Sequence, residues 1–330
     1  MTSSGPTRDS SPFALQSFSY GKSLVRLLRV VRHTPTHHHI VEYTVATLLS
    51  GPSLASSYTE GDNSLVVATD SQKNTVHFLA KTLPPEEVLC PEKFALRIAA
   101  HFPTKYAHIE KCEVEVVSHK WSRIKLDEAG ANEEEHSFVR DGEEKRTVQV
   151  VAEQQGSDKA IAITKLQSGL KDLLLLKSGG SAFHSFLRDE FTTLREVNDR
   201  IFSTAVDCRY DYALPAASSA GIVDSLIASH DFDGIASSIR QSTLRIFSHT
   251  DTGAAAASVQ ATLHLMATTA LSAPENAAVD SIEYALPNKH YVPIDLKWAG
   301  LENMKEDEAE VFLPQADPSG LIKAKVGRKA

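Results

Sequence analysis

The residues best suited to chemistry are an aromatic side chain and an arginine that lie in one stretch of the chain. Phe183 offers a flat face on which a ring can stack. The guanidinium of Arg200 can donate two parallel hydrogen bonds to an anionic edge, which a lysine could not do. Each also has a plainer interpretation, because phenylalanine is usually a core residue and Arg200 could pair with Asp199 or Glu196.

Val259 and Gln260 form a second candidate. Ser258 precedes them as an N-cap residue type, and apolar residues recur after it at helical spacing. The free amides and the positive dipole end at such a helix start suit an anionic ligand. A valine at this spacing is normally a core residue. The two roles are compatible, because a main-chain contact leaves the side chain free to pack.

Three consecutive histidines, His37 to His39, form the main competing site, since histidine tracts can bind metal. Adjacent strand residues point to opposite faces, which makes the tract a poor chelate. The chain also lacks a nucleophile-elbow glycine pattern and a dinucleotide fingerprint. Cys90, Cys112 and Cys208 are few and widely spaced, so we expect free thiols, buried or partly buried, rather than disulfides or a zinc site.

The composition is that of an ordinary globular protein. The 330 residues are 42% hydrophobic and 23% charged, and their length suffices for two domains. The net charge of −8, with acids and bases interleaved, argues against a nucleic-acid partner. Because no apolar run reaches about 20 residues, the length that spans a bilayer, we expect a soluble protein with no membrane partner.

The elements that must position these residues begin with strands. Leu24 to Val31 and Val41 to Leu49 predict a hairpin, with Pro35 and the histidines at or near its turn. Further along the chain, apolar residues between Phe94 and Phe102 recur at helical spacing and predict a helix. Pro103 is expected to end that helix. Two strands close this half of the chain, at Cys112 to Val116 and at Thr147 to Val151.

The second half repeats this order. Its segments are an apolar run at Leu173 to Lys177, a strand at Ile201 to Tyr212, helices at Phe232 to Phe247 and Val259 to Ala270, and strands at Ser281 to Leu286 and Tyr291 to Leu296. Two similar halves predict an α+β fold of tandem units, each an antiparallel sheet with helices on one face. We expect a flexible tail over 1–17, domains over 18–155 and 156–316, and a C-terminal segment over 317–330.

Five segments also carry a family resemblance. The longest runs from Leu174 to Phe191, with Arg200 beyond it, and closely resembles the signature of urate oxidase (uricase). Four more match motifs of that family in the same order: Tyr20 to Lys22, Val67 to Ser71, Ser258 to Thr262 and Leu286 to Tyr291. The resemblance implies tandem tunnelling-fold (T-fold) domains whose sheets close into a barrel. Since one chain does not close it, oligomerisation is implied, in the family as a homotetramer.

The resemblance also assigns binding roles. Phe183 matches the residue that stacks on the purine ring of urate, and Arg200 matches the arginine that holds the purine edge. Val259 matches a residue that contacts the purine through its main chain, and Gln260 one that contacts it through its side-chain amide. Urate is a flat anion at neutral pH, so these groups complement it.

A further set matches the family's oxidation chemistry. Lys22 and Thr69 match a relay that removes a proton from urate, and His290 would support it by hydrogen bonding to Lys22. Thr69 and Asp70 match residues contributed by an adjacent subunit, and Asn288 matches one that, with the threonine, holds dioxygen or water above the ring. The plain alternatives are a solvated strand end for Lys22, a turn at Thr69 and Asp70, and turn flanks for Asn288 and His290.

The function implied is oxidation of urate by dioxygen to 5-hydroxyisourate and hydrogen peroxide, with no metal or organic cofactor. The alternative is a tunnelling-fold protein that binds a purine or pterin without oxidising it. Binding alone would need only the residues that touch the ring, so the presence of Lys22, Thr69, Asn288 and His290 favours oxidation.

Three features depart from the family pattern. Gly179 and Gly180 replace residues that are more often polar, and they predict a less firmly placed Phe183. The acidic segment 127–136 predicts a surface loop with no assigned function. The family resemblance suggests the peroxisome, yet the sequence ends in Arg328-Lys329-Ala330 rather than a Ser-Lys-Leu type signal, so the alternative is the cytoplasm.

Overall fold

The computed structural model describes residues 12–126, 133–197, 199–215, 219, 221–249 and 258–329. Eight strands form one antiparallel sheet, in which each strand pairs with its neighbours in sequence. The strands are β1 Tyr20–Arg32, β2 His38–Ser50, β3 Lys111–Lys125, β4 Glu133–Gln155, β5 Ala160–Lys177, β6 Phe202–Tyr212, β7 Val279–Pro293 and β8 Phe312–Gly327. Their order leaves β1 at one edge of the sheet and β8 at the other.

The helices lie in two groups, one after β2 and one after β6. The first group is α1 Ala55–Thr59, α2 Thr69–Thr82, α3 Pro85–Val88 and α4 Pro91–Lys105, and the second is α5 Ile222–Ser229, α6 Phe232–Ser248 and α7 Val259–Ser272. Alternating burial along β6 buries residues such as Phe202, Val206 and Cys208. Tyr43 of β2 stacks on Phe94 of α4 at 5.6 Å. The core therefore lies between the sheet and its helices.

A buried polar network joins the two halves of the chain. Glu92 at the start of α4 has no exposed surface and binds Arg146 of β4 through both carboxylate oxygens, at 2.9 and 2.6 Å. Ser168 of β5 donates to the same carboxylate at 2.7 Å, and Arg146 also pairs with Asp233 of α6. Because each charge is paired and hydrogen-bonded, these contacts offset the desolvation cost of burying the charges. The network also connects α4 and α6 to β4 and β5.

Most predicted elements are confirmed, and two predictions about them are wrong. Pro103 does not end α4, which continues to Lys105. Proline there removes only the one hydrogen bond that its own amide would donate to the Ala99 carbonyl, and the helix ends two residues later. Tyr291 to Leu296 is not a separate strand, because Tyr291 to Pro293 complete β7. The partner of β7 is β8, which covers residues 312–327 and so extends into the predicted C-terminal segment.

The domain boundaries stay a prediction. The expected break after residue 155 falls in the turn between β4 and β5, and one continuous sheet crosses it. Residues 1–11 of the predicted tail and 127–132 of the predicted acidic loop lie outside the described residues, whereas 133–136 begin β4. All three cysteines are buried and free, as the sequence predicts, and burial raises the pKa of the Cys208 thiol to about 12. None of the helices within the described ranges is long and apolar enough to cross a membrane.

Candidate functional site

The structure brings Phe183 and Arg200 together. Phe183 and Val197 exchange two backbone hydrogen bonds, of 2.9 and 3.0 Å, and the Arg200 amide donates to the Ser181 carbonyl at 2.8 Å. This pairing folds the segment after β5 onto the segment before β6. It places the Arg200 guanidinium over the Phe183 ring, with Cζ 5.0 Å from the ring centroid. The aromatic face and the planar cation therefore share one half-buried place.

Arg200 does not make the ion pairs that its plain interpretation requires. Asp199 accepts from the Gly180 amide, and Glu196 accepts from the Ser185 amide. The Nε atom of Arg200 is buried and has no hydrogen-bond partner among the described residues. Burial also lowers the pKa of this guanidinium from its ordinary value, although arginine stays charged. An unpaired, half-buried cation is suited to an anionic ligand.

Gly179 and Gly180 form a turn next to Asp199, and the expectation that they place Phe183 less firmly stays a prediction. Gly180 has φ of +73°, a left-handed conformation that favours glycine. Its amide binds the carboxylate of Asp199, and a side chain at Gly179 would lie 3.1 Å from that carboxylate. The two glycines therefore permit a tight turn in the segment that leads to Phe183.

Phe186 is a neighbour of Phe183 that the sequence reasoning missed. The two rings stack with centroids 4.8 Å apart and planes inclined by 13°. The Arg188 guanidinium lies over the Phe186 ring, with Cζ 5.4 Å from the ring centroid. Only the spacing of two phenylalanines in one short segment could have indicated this stack. A purine that stacks on Phe183 has to share or replace a contact that the ring already makes.

Asn288 and His290 lie on β7 rather than at the flanks of a turn. Asn288 pairs across the sheet with Thr204 of β6 on one side and Gly320 of β8 on the other, and His290 pairs with Gln315 of β8. Directly paired residues share a face of the sheet, so Asn288 and Thr204 point the same way. The Thr204 hydroxyl is buried and has no hydrogen-bond partner among the described residues.

Val259 and Gln260 form the first turn of α7, as predicted. Val259 is buried, whereas Gln260 is exposed. The Ser258 side chain makes no capping hydrogen bond and donates instead to Gln260 Oε1 at 2.9 Å, so it does not occupy the first helical amides of α7. Arg328 binds the Leu271 carbonyl at the far end of α7 and the Val279 carbonyl where β7 begins.

The direction of α7 follows from that anchor. Its last turn lies beside the start of β7, so its first turn lies toward the other end of that strand, where Asn288 is. The end of α6 lies at the same end of the sheet, because Phe247 packs on Phe202 with ring centroids 5.3 Å apart. Phe183, Arg200, Asn288 and the start of α7 are therefore placed toward the same end of the sheet. The name purine half-site is used below for these residues, Gln260 and His290.

Lys22, Thr69 and Asp70 lie together at the opposite edge of the sheet. Lys22 is in the edge strand β1, and Thr69 and Asp70 begin α2. Asp70 binds Lys73 and Asn74, and its pKa is lowered chiefly by the Lys73 hydrogen bond, with a smaller contribution from the charge of Lys22. The name edge half-site is used below for Lys22, Thr69 and Asp70.

The fold fixes the edge half-site through the residues around it. Gly21 packs so closely on β2 that a Cβ atom would lie 1.7 Å from the Thr47 carbonyl oxygen, so only glycine fits. The Val67 amide donates to the Tyr20 hydroxyl at 2.8 Å, and buried Thr47 donates to buried Gln72 of α2 at 2.8 Å. These contacts set the start of α2 against β1, and they explain the residue types around Lys22 and Thr69.

The two half-sites do not meet within one chain. β7 lies six strands from β1, which at about 4.8 Å per strand is roughly 29 Å along the sheet. The structure therefore does not bring His290 to Lys22 as the relay requires. A single purine could contact both half-sites only if a second copy of the chain supplied one of them.

The histidine tract shows the alternation expected of a strand. His39 contacts His33, with Nδ1 and Nε2 2.7 Å apart, and His37, whereas His38 faces His136. Burial and the neighbouring charge of Arg123 lower the pKa of His39. Within the part of the chain that the structure describes, no group of three or more His, Cys, Asp or Glu side chains is arranged to hold a metal ion.

The antiparallel sheet with helices on one face and the gathered aromatic, guanidinium and amide groups define a tunnelling-fold protein with a candidate site for a flat anion. The crystal structure of a uricase from Arthrobacter globiformis matches 97% of this chain and 96% of its own, with a TM-score of 0.77 and 32% identity. The sequence model of the uricase family matches residues 18–151 and 166–323. The chain belongs to the uricase family.

Curated relatives agree with this assignment along nearly the whole chain. A uricase from Aspergillus flavus is 42% identical over 322 residues, which cover 96% of this chain and 98% of the relative. A uricase from Schizosaccharomyces pombe is 40% identical and covers 94% of this chain and 97% of the relative. The resemblance inferred from five short segments is therefore confirmed.

Proposed function

We propose that the protein oxidises urate with dioxygen to 5-hydroxyisourate and hydrogen peroxide, and that its own side chains suffice without a metal or organic cofactor. The family and its curated uricases support urate as the substrate. The observation that carries the chemistry is the half-buried pairing of Phe183 with Arg200, whose Nε atom lacks a partner among the described residues.

The purine half-site supplies the groups that a flat anion needs. Phe183 offers its ring face, and Arg200 offers parallel donors to the purine edge. The main-chain amide of Val259, which no side chain caps, and the amide side chain of Gln260 lie at the positive end of α7, where negative charge is stabilised. Gln260 is exposed and its carbonyl oxygen already accepts from Ser258, so its amide nitrogen remains available as a donor.

The edge half-site supplies the proton relay. Thr69 is half-buried at the first position of α2, and its hydroxyl makes no side-chain hydrogen bond with the described residues. A hydroxyl can accept and donate at one atom, so it can pass a proton between urate and Lys22. Asn288, from the other half-site, would hold dioxygen or water on the face of the ring opposite Phe183, and His290 would orient Lys22.

Assembly follows from this division. We infer a homotetramer in which each complete site joins the purine half-site of one chain to the edge half-site of another. The exposed edges of β1 and β8 support this, since pairing between copies removes open sheet edges. The family resemblance suggests a peroxisomal location, which stays a prediction.

Chelator-treated protein is expected to consume urate and release peroxide with no added cofactor. The measurement follows the loss of urate ultraviolet absorbance together with peroxide formation, before and after removal of metal ions. Activity that disappears on chelation and returns with one metal would reject the cofactor-free mechanism. Binding of urate without its consumption would favour the non-oxidising alternative.

Replacing Arg200 by lysine should weaken urate binding by about 2 to 4 kcal/mol, because a two-pronged charged contact becomes at most a single one. Anaerobic calorimetry measures the affinity without turnover. Arg195→Lys is the matched control, since Arg195 is exposed in the same loop. An unchanged affinity in Arg200→Lys would remove Arg200 from the site.

A further inference from the structure

Lys177 is a cation beside the purine half-site to which the proposed mechanism gives no role. It ends β5 directly opposite Phe202 of β6. Its ammonium nitrogen lies 5.8 Å from the Phe202 ring centroid and 5.6 Å from that of Phe247 on α6. The two rings thus hold a positive charge at the end of the strand that leads into the Phe183 segment.

This ammonium has no anionic partner among the described residues, in which Lys177 makes neither an ion pair nor a hydrogen bond. Lys177 is half-buried, and burial lowers its pKa from the ordinary value. Lysines nearby behave differently: Lys145 pairs with Asp172 at 2.7 Å, and Lys165 donates to Gln149 at 2.6 Å. A partly desolvated, unpaired charge is costly, although contact with two aromatic faces offsets part of the cost.

Two other side chains that have an unpartnered buried atom among the described residues flank Phe202, the strand partner of Lys177. Arg200 is two residues before Phe202 and has a buried, unpartnered Nε atom. Thr204 is two residues after Phe202 and has a buried, unpartnered hydroxyl. Alternate strand residues share a face, so Thr204 lies on the face that Phe202 and Lys177 occupy, with Asn288 opposite it. Lys177 and Thr204 therefore lie on one face at the same end of the sheet, Arg200 lies in the segment that enters β6 there, and no carboxylate among the described residues binds any of the three.

We propose that Lys177 is a specificity-determining residue of the purine half-site, whose charge favours a purine in its anionic form. A bound anion would stabilise both cations, whereas a neutral purine of the same shape would leave them unpaired. The aromatic contacts keep the ammonium from folding onto the ligand, so Lys177 acts through its charge rather than by direct contact. The inference rests on the proposed function, because it takes urate as the ligand.

The test is anaerobic calorimetry of urate binding to the full-length assembled protein. Lys177→Met keeps the chain length and the contact with the two rings but removes the charge. It should weaken urate binding about tenfold, which is the scale of one partly screened charge interaction. Lys177→Arg should stay within about threefold of the wild type, because it keeps the charge. Lys171→Met is the matched control, as Lys171 is an exposed residue of the same strand.

The dependence of affinity on salt separates charge from packing. Added salt should weaken urate binding to the wild type more steeply than to Lys177→Met, because salt screens only a charge that is present. Wild-type affinity and salt dependence in Lys177→Met would overturn the inference. So would equal losses in the arginine and methionine variants, or altered assembly with unchanged affinity. A wild-type protein that neither binds nor consumes urate would instead reject the proposed function.

Discussion

Lys22→Met is expected to lower kcat about 10² to 10⁴-fold, the usual contribution of one general base. Urate affinity should change far less, because Phe183 and Arg200 belong to the other half-site and keep their contacts. Thr69→Ala should lower kcat by a similar factor. The double variant should be little slower than either single variant, since the effects of substitutions within one relay are not additive. Steady-state rates and anaerobic affinities of the three variants measure these effects.

Lys81→Met is the matched control for the relay, because Lys81 is an exposed lysine in the last turn of α2 and its loss removes the same charge. It should retain wild-type turnover. Thermal unfolding of each variant separates a lost proton transfer from a damaged β1. Losses that simply multiply in the double variant would show that Lys22 and Thr69 act independently, and the relay would have to be abandoned.

The fold was largely predictable where burial alternates cleanly. β2 and β6 bury every second residue along much of their length, and α6 places its apolar residues on one face. β8 escaped prediction because most of its residues are exposed at an edge and because it contains Pro314 and Pro318, which are tolerated mainly in edge strands. The bridging of both halves by Arg146 and Glu92 could not be predicted either, since it depends on packing across four elements.

The candidate site was predictable as a set of residue types and motifs, but not as a geometry. The sequence named Phe183 and Arg200, yet their contact depends on backbone hydrogen bonds of Phe183 with Val197 and of Arg200 with Ser181, which spacing does not reveal. The unpartnered atoms of Arg200 and Thr204 were equally hidden, because an unsatisfied group becomes visible only when all its neighbours are placed. The separation of Lys22 from His290 follows from the strand order alone.

That separation leads to a second large expected effect, the recovery of activity when two inactive proteins are mixed. Thr69→Ala damages the edge half-site, and Arg200→Ala damages the purine half-site. After random subunit exchange in equal amounts, about one quarter of the sites should combine an intact half from each chain, because each site draws its halves from two copies. The mixture should then show roughly one quarter of wild-type activity, measured by urate consumption after exchange has been verified by mass spectrometry.

A second mixture tests whether Lys22 and Thr69 of one complete site come from the same chain. Lys22 and Thr69 both belong to the edge half-site, so every site in a mixture of Lys22→Met and Thr69→Ala carries one damaged relay residue. We expect that mixture to regain no activity. A mixture of Lys22→Met with Arg200→Ala should regain as much activity as the mixture of Thr69→Ala with Arg200→Ala. Recovery in the first pair would place Lys22 and Thr69 on different chains within one site. Failure of both Arg200→Ala mixtures, despite verified exchange, would mean that one chain builds the whole site. In that case Lys22 on β1 and Asn288 on β7 of the same chain would have to come close together.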